Sequence, residues 1–209
     1  VRTLLLATRN EHKRREFARL LPGWEIDRLP DDVELPPEDG ETFAENALGK
    51  ARAAAAATGR ASIADDSGIE AAALGGRPGV RSARYAGEHA TDEENLALLL
   101  REAPAGSALE YVCALAYVDP ARSGEERRDR QRLFEGRCSG TLASEPRGER
   151  GFGYDPAFVP DERPERERER ERERETETMA ELSDERKDEI SHRGRAARAL
   201  LEWLARTTG

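Results

Sequence analysis

The sequence predicts an α/β protein, and three stretches carry that expectation. The apolar run Arg2–Thr8 turns through Thr8-Arg9-Asn10 into a helix over Glu11–Leu21. An alanine-rich helix over Glu41–Thr58 ends at Gly59. Ala61–Ala64, small and apolar with one β-branched residue, reads as a short buried strand that runs into Asp65-Asp66.

In chain order, Thr3-Leu4-Leu5-Leu6-Ala7 is a buried strand, and Phe17, Leu20 and Leu21 recur at helical spacing behind Asn10, a natural N-cap. A strand, turn and helix start bring free backbone N–H groups to one spot, a ready anion site. Lys13 in the first turn opposes the helix dipole unless an anion lies beside it. Thr8, Asn10 and Lys13 therefore read as a phosphate grip, or as an ordinary capped helix with Lys13 in solvent. Trp24–Leu29 is a second strand. Pro30–Gly40 is an acidic loop with Asp31, Asp32, Glu34, Glu38 and Asp39, any one of which could supply a metal-binding carboxylate. In the next helix Phe43, Ala47, Leu48 and Ala51 share a side, and Asn46 among alanines is expected to make a buried hydrogen bond.

Asp65 and Asp66 at the end of a buried strand are costly, because like charges repel and burial disfavours ionisation. A divalent metal or a shared proton would relieve that cost. Ser67-Gly68 reads as the start of a turn, and Gly75-Gly76-Arg77-Pro78-Gly79 as a bend, with Arg81, Arg84 and Tyr85 behind it. Acids, bend and cations suit a metal-bound anion; a strand end capped by an Asx turn, with solvated arginines, fits the same residues.

Thr91–Glu102 is a helix capped by Thr91, with Glu94 completing a capping box. Ala108–Val118 and Arg130–Cys138 read as neighbouring strands joined by the polar loop Asp119–Asp129, with turns over Gly136–Gly148. In Gly151-Phe152-Gly153-Tyr154-Asp155-Pro156, glycines leave the Phe152 ring open to stack on a flat ligand, and Pro156 holds Asp155 extended with its carboxylate near the ligand edge. A tight turn around a packed aromatic is the plainer reading. Pro164–Thr178 alternates Glu and Arg with nothing apolar to order it, so it reads as a solvated insertion. Ser183 caps the last helix, on which Lys187, His192 and Arg193 lie within about two turns.

The 209 residues suffice for one large domain or two small lobes. Cys113 and Cys138 have no metal-ligand spacing and read as buried thiols. No run is apolar for long enough to span a membrane and no signal-peptide pattern opens the chain, so a cytoplasmic protein is expected, with no membrane partner. The net charge of −9 argues against a general nucleic-acid binder. Of 34 basic residues only Lys13, Lys50 and Lys187 are lysine. A compact ammonium and a planar guanidinium are not equivalent at a tight phosphate site, so these three positions draw attention.

Seven segments, in order and spanning nearly the whole chain, carry a resemblance: Thr8-Arg9-Asn10-Glu11-His12-Lys13, Thr42-Phe43-Ala44-Glu45-Asn46-Ala47, Ala64-Asp65-Asp66-Ser67-Gly68, Leu74-Gly75-Gly76-Arg77-Pro78-Gly79, Ser82-Ala83-Arg84-Tyr85, Gly151–Pro156 and Ser191-His192-Arg193. The chain resembles the inosine triphosphate pyrophosphatase family, the non-canonical purine NTP pyrophosphatases. The resemblance implies an elongated mixed α/β sheet with flanking helices, two lobes around a central substrate cleft, and a homodimer. It implies Mg²⁺-dependent hydrolysis of ITP, dITP and XTP to the monophosphate and pyrophosphate. On its motifs, Thr8, Arg9, Asn10, Glu11, His12 and Lys13 would bind substrate, chiefly its phosphates, with Lys50 and Lys187 adding charge. Asp66 would be the general base and a metal ligand, with Asp65 and Glu38 close to the metal. Ser67 would touch the substrate, Phe152, Gly153, Tyr154 and Asp155 would take the base, and His192 and Arg193 would close on it. Asp155 would accept from purine N1–H. The Glu/Arg insertion departs from the family pattern. Other classes to separate are a nucleotide sensor without turnover, an RNA-associated protein using the Glu/Arg run, and a pyrophosphatase for other modified nucleotides.

Overall fold

A computed structural model describes residues 2–120, 131–162 and 177–207. The loop after Val118 and the Glu/Arg run lie almost wholly outside these residues. Strands are β1 (Arg2–Leu6), β2 (Trp24–Arg28), β3 (Ser62–Ala71), β4 (Ala108–Val118), β5 (Gln131–Leu142) and β6 (Phe158–Pro160). Helices are α1 (Glu11–Leu20), α2 (Phe43–Thr58), α3 (Asp92–Glu102), α4 (Asp184–Ile190) and α5 (His192–Thr207). One six-stranded sheet has the order β2-β1-β3-β4-β5-β6. It is mixed: β1 pairs in parallel with β2 and β3, and β5 pairs antiparallel with β6. The α/β class is as expected. No described helix is long and apolar enough to cross a membrane.

The chain forms two compact units: Val1–Asp66, Cys113–Gly136 and Arg195–Gly209 in the first, Ser67–Val112 and Arg137–Gly194 in the second. Each has its own apolar core. Leu4, Leu6, Phe17, Ile63, Leu115 and Leu200 are among the buried residues of the first. Ile69, Leu99, Leu109, Leu142, Phe158 and Met179 are among those of the second. Cys113 and Cys138 are buried free thiols, one in each core.

Local chemistry explains the helix starts. Asn10 Oδ1 accepts from the backbone N–H of His12 (2.9 Å) and Lys13 (3.2 Å), which removes two of the donors that a bare helix end would offer an anion. Thr42 and Glu45 form a reciprocal capping box, so α2 starts at Phe43 and Glu41 precedes it. Thr91 and Glu94 do the same for α3. Ser183 Oγ accepts from Arg186 N–H at 3.3 Å.

Three expectations are corrected. The strand through the acid pair does not stop for a turn at Ser67-Gly68; β3 continues to Ala71, which places both carboxylates within it. Gly68 serves close approach: a Cβ there would lie 2.4 Å from Ser82 Oγ and 2.6 Å from the Gly79 carbonyl oxygen. Ser82 Oγ itself accepts from Ile69 N–H (2.9 Å) and donates to Gly79 O (2.6 Å), tying the glycine-rich bend to β3. Likewise β5 runs through Gly136 to Leu142, where turns were expected. The last helix is two: α4 ends at Ser191 (φ −68°, ψ 157°), whose Oγ then accepts from Gly194 N–H at 3.1 Å and starts α5.

Gly68→Ala should therefore lower the unfolding free energy by about 2–3 kcal/mol or more, the scale of overpacking a tight core. Thr42→Ala should cost about 1 kcal/mol through its cap. Urea denaturation of the two variants checks this; a Gly68→Ala protein as stable as wild type would refute the close-packing account.

Candidate active site

In the first unit, β3 carries Asp65 and Asp66 into the interior, 1% and 6% exposed. Lys13 from the first turn of α1 pairs with Asp65 Oδ2 at 2.9 Å. Lys50 from α2 donates to the Asp65 carbonyl oxygen at 2.8 Å and to Glu38 Oε1 of the acidic loop. Asn46, one turn earlier on α2, donates to Asp66 Oδ2 (2.8 Å) and accepts from Gly40 N–H (2.8 Å), so it ties the loop to the acid. Asn46 was legible as a buried hydrogen-bonding residue but not as part of the site.

The electrostatics follow from this packing. Burial pushes the Asp66 carboxyl up and Glu38 adds to this, against the opposing pull of Lys50. Burial also works to raise Glu38, but the Lys50 charge and hydrogen bond overcome it and hold Glu38 below its ordinary value. Burial works to neutralise Lys50, but Asp65, Glu38 and Asp66 outweigh it, so its affinity for the proton is raised. The cluster pairs a fixed cation with a carboxylate made more basic than usual.

Three carboxylates (Glu38, Asp65, Asp66) against two ammonium groups (Lys13, Lys50) leave a net negative charge for a divalent cation to offset. Their hard oxygen donors suit Mg²⁺. Among the described residues no group of three or more His, Cys, Asp and Glu is arranged as a metal cage. Mg²⁺ is ordinarily held by one or two carboxylates together with substrate phosphates, so the donor set fits.

The other residues of the first motif have other tasks. Arg9 donates to the carbonyl oxygens of Leu29, Pro30, Asp31 and Val33 and clamps the loop after β2. Glu11 pairs with Arg14 at 2.8 Å, and that hydrogen bond holds its carboxyl below the usual range. Thr8 Oγ1 accepts from Asn10 N–H at 3.2 Å. The His12 side chain is exposed.

In the second unit a set of aromatic and cationic groups forms around Asp155, which is 3% exposed. Its Oδ2 accepts from Phe152 N–H (3.0 Å) and Lys187 Nζ (2.8 Å), and its Oδ1 from the Tyr111 hydroxyl (3.1 Å). This corrects one expectation. Asp155 is not extended before Pro156 but opens a 3₁₀ turn over Asp155–Ala157. Gly151 permits that turn: its φ is +73°, and a Cβ there would sit 2.1 Å from Asp155 Oδ2.

The Phe152 ring lies within cation–π range of Lys187 Nζ (5.5 Å) and Arg193 Cζ (5.0 Å). Arg193 donates to Ser67 Oγ at 2.6 Å. His192 stacks on Tyr111, rings 4.5 Å apart and 8° from parallel. The break at Ser191 places Lys187 on α4 and His192 and Arg193 in the first turn of α5. Gly153 N–H donates to Asp92 Oδ2 (2.9 Å), which fastens the turn to α3. Tyr154 is a core residue, its hydroxyl donating to Ser82 O at 2.8 Å. Tyr111 was missed; its signal was a hydroxyl-bearing side chain in a largely apolar strand, one shared by Tyr117.

The comparisons agree with these motifs. A model of the Ham1 family matches residues 4–203. A dITP/XTP pyrophosphatase of Mycolicibacterium paratuberculosis is 47% identical, covering 99% of this chain and 98% of that protein. One of Geobacillus kaustophilus is 44% identical over 100% and 97%. A HAM1 protein from Coxiella burnetii has a solved structure with TM-score 0.79 and 36% identity, covering 99% of this chain and 100% of that one. The family read from seven motifs is thus borne out, and the chain belongs to the Ham1 family.

Proposed function

We propose that the protein hydrolyses the purine nucleoside triphosphates dITP, XTP and ITP to the monophosphate and pyrophosphate, with Mg²⁺. The observation that carries this reading is the buried cluster of Lys13, Lys50, Asn46 and the acids around Asp66. Relatives named dITP/XTP pyrophosphatase support the substrate class.

Asp66 would hold the metal, with Asp65 and Glu38 beside it. Bound Mg²⁺ would supply charge neutralisation at the phosphate oxygens. Asp66, made more basic by burial, orients a water and accepts its proton as the water attacks the α-phosphorus in line. The bond to the β-phosphate oxygen breaks, and Lys13 and Lys50 stabilise the charge on the departing pyrophosphate. Asn46 keeps the Asp66 carboxylate in one orientation.

The purine would stack on Phe152. Because Asp155 is engaged by Tyr111, Phe152 and Lys187, base selection falls to donors, Lys187 and Arg193, which suit a 6-keto oxygen. Adenine carries an amino donor there, which would set donor against donor and add no hydrogen bond, so it would be rejected.

Pyrophosphate release from ITP, XTP, GTP and ATP with Mg²⁺ tests the reading. Fast release from ITP and XTP, little from ATP, and loss on chelation are expected, with Asp66→Asn slower by about 10²–10⁴-fold. No release from any purine would sink the hydrolase reading; equal release from all four would remove the account of base selection. Lys50→Arg is a second check: the larger fork cannot replace a buried ammonium bonded to Glu38 and Asp65 O, so stability should fall by about 1–3 kcal/mol and activity more than about tenfold. Full activity in Lys50→Arg would show that any cation serves there.

A further inference from the structure

We infer that Tyr111 is a positioning residue for substrate binding, acting through Asp155 and His192; this rests on the proposed function and adds a residue to it. Tyr111 lies on β4, 6% exposed. Its hydroxyl donates to Asp155 Oδ1 at 3.1 Å. That bond sets the rotation of the carboxylate and leaves Oδ2 to accept from Phe152 N–H and Lys187 Nζ. The same ring lies flat against His192, 4.5 Å away, and tilted against Phe158, also at 4.5 Å. One side chain thus fixes three groups assigned to the base: the Phe152 turn, the Lys187 ammonium and the His192 imidazole.

The chemistry of the hydroxyl suits this task. It is a donor to a buried carboxylate, a bond stronger than one between neutral groups. Burial, then the Asp155 charge, push its pKa well above the usual phenol range, so it keeps its proton and continues to donate. Phenylalanine at this position would keep the ring against His192 and Phe158 and lose only the bond to Asp155. The carboxylate could then rotate, and Lys187 and the Phe152 amide would lose their fixed acceptor. None of these groups reacts with the phosphates, so the loss falls on binding rather than on the chemical step.

The test is Tyr111→Phe on the full chain, with steady-state kinetics on ITP and equilibrium titration of ITP binding. The KM and the dissociation constant should both rise about tenfold, as for a charge-assisted bond removed, with kcat within about twofold. Tyr117→Phe, the same chemical change on the same strand in the first unit, should leave all three constants unaltered, which separates positioning from a general loss of stability. Unchanged KM and affinity in Tyr111→Phe, or a fall confined to kcat, would overturn the role. Wild type that binds ITP more tightly than Tyr111→Phe but releases no pyrophosphate would sustain the positioning role and sink the hydrolase reading. Wild type that binds no ITP would overturn both.

Discussion

Two adjacent carboxylates inside a strand set the terms for the first unit. Asp65 and Asp66 are buried in β3, and neither can remain ionised there without compensation. The compensation comes from two places in sequence, Lys13 on α1 and Asn46 with Lys50 on α2, and these two α2 residues also grip the acidic loop. The packing of both helices onto the sheet therefore answers to polar as well as apolar demands. Lysine suits these positions because each ammonium is a compact charge against buried oxygens, two of them for Lys50, where a planar guanidinium would need more room. The third lysine repeats the pattern in the second unit, where Lys187 meets Asp155 with both side chains almost wholly buried.

Much of this was legible. Strands and helices with strong caps were found in place: Asn10, Thr91 with Glu94, and Ser183 each cap as their sequence says. The three lysines were marked by composition, and each proves to be ion-paired in or near the interior. What failed shares one cause, that a local signal was read without its distant partner. Ser67-Gly68 resembles a turn, yet Gly68 is there because Ser82 and Gly79 press against β3. Asp155 before Pro156 resembles an extended edge, yet Tyr111, 44 residues earlier, and Lys187, 32 residues later, draw its carboxylate inward. Ser183 reads as the cap of one long last helix, and only the ability of Ser191 to accept from Gly194 N–H reveals the break.

Buried ion pairs are weak grounds for stability. Replacing such a pair with well-packed apolar residues is often neutral or stabilising, whereas removing one partner costs about 3–5 kcal/mol. A chain under pressure only to fold would have little use for Lys13–Asp65, Lys50–Glu38 and Lys187–Asp155 together. Under the proposed function each ammonium would have a second purpose: the carboxylates hold the lysines in place in the free protein, and phosphate or keto oxygens of the substrate would compete for the same N–H groups. The cost of burying these charges would then be met in the folded state, before binding, and little reorganisation would remain for the reaction itself. The argument extends to Asn46 and Tyr111, neutral donors that spend their hydrogen bonds on orienting Asp66 and Asp155. The carboxylates are thus held in orientation as well as in charge, which under the proposed function would present them ready to meet the substrate.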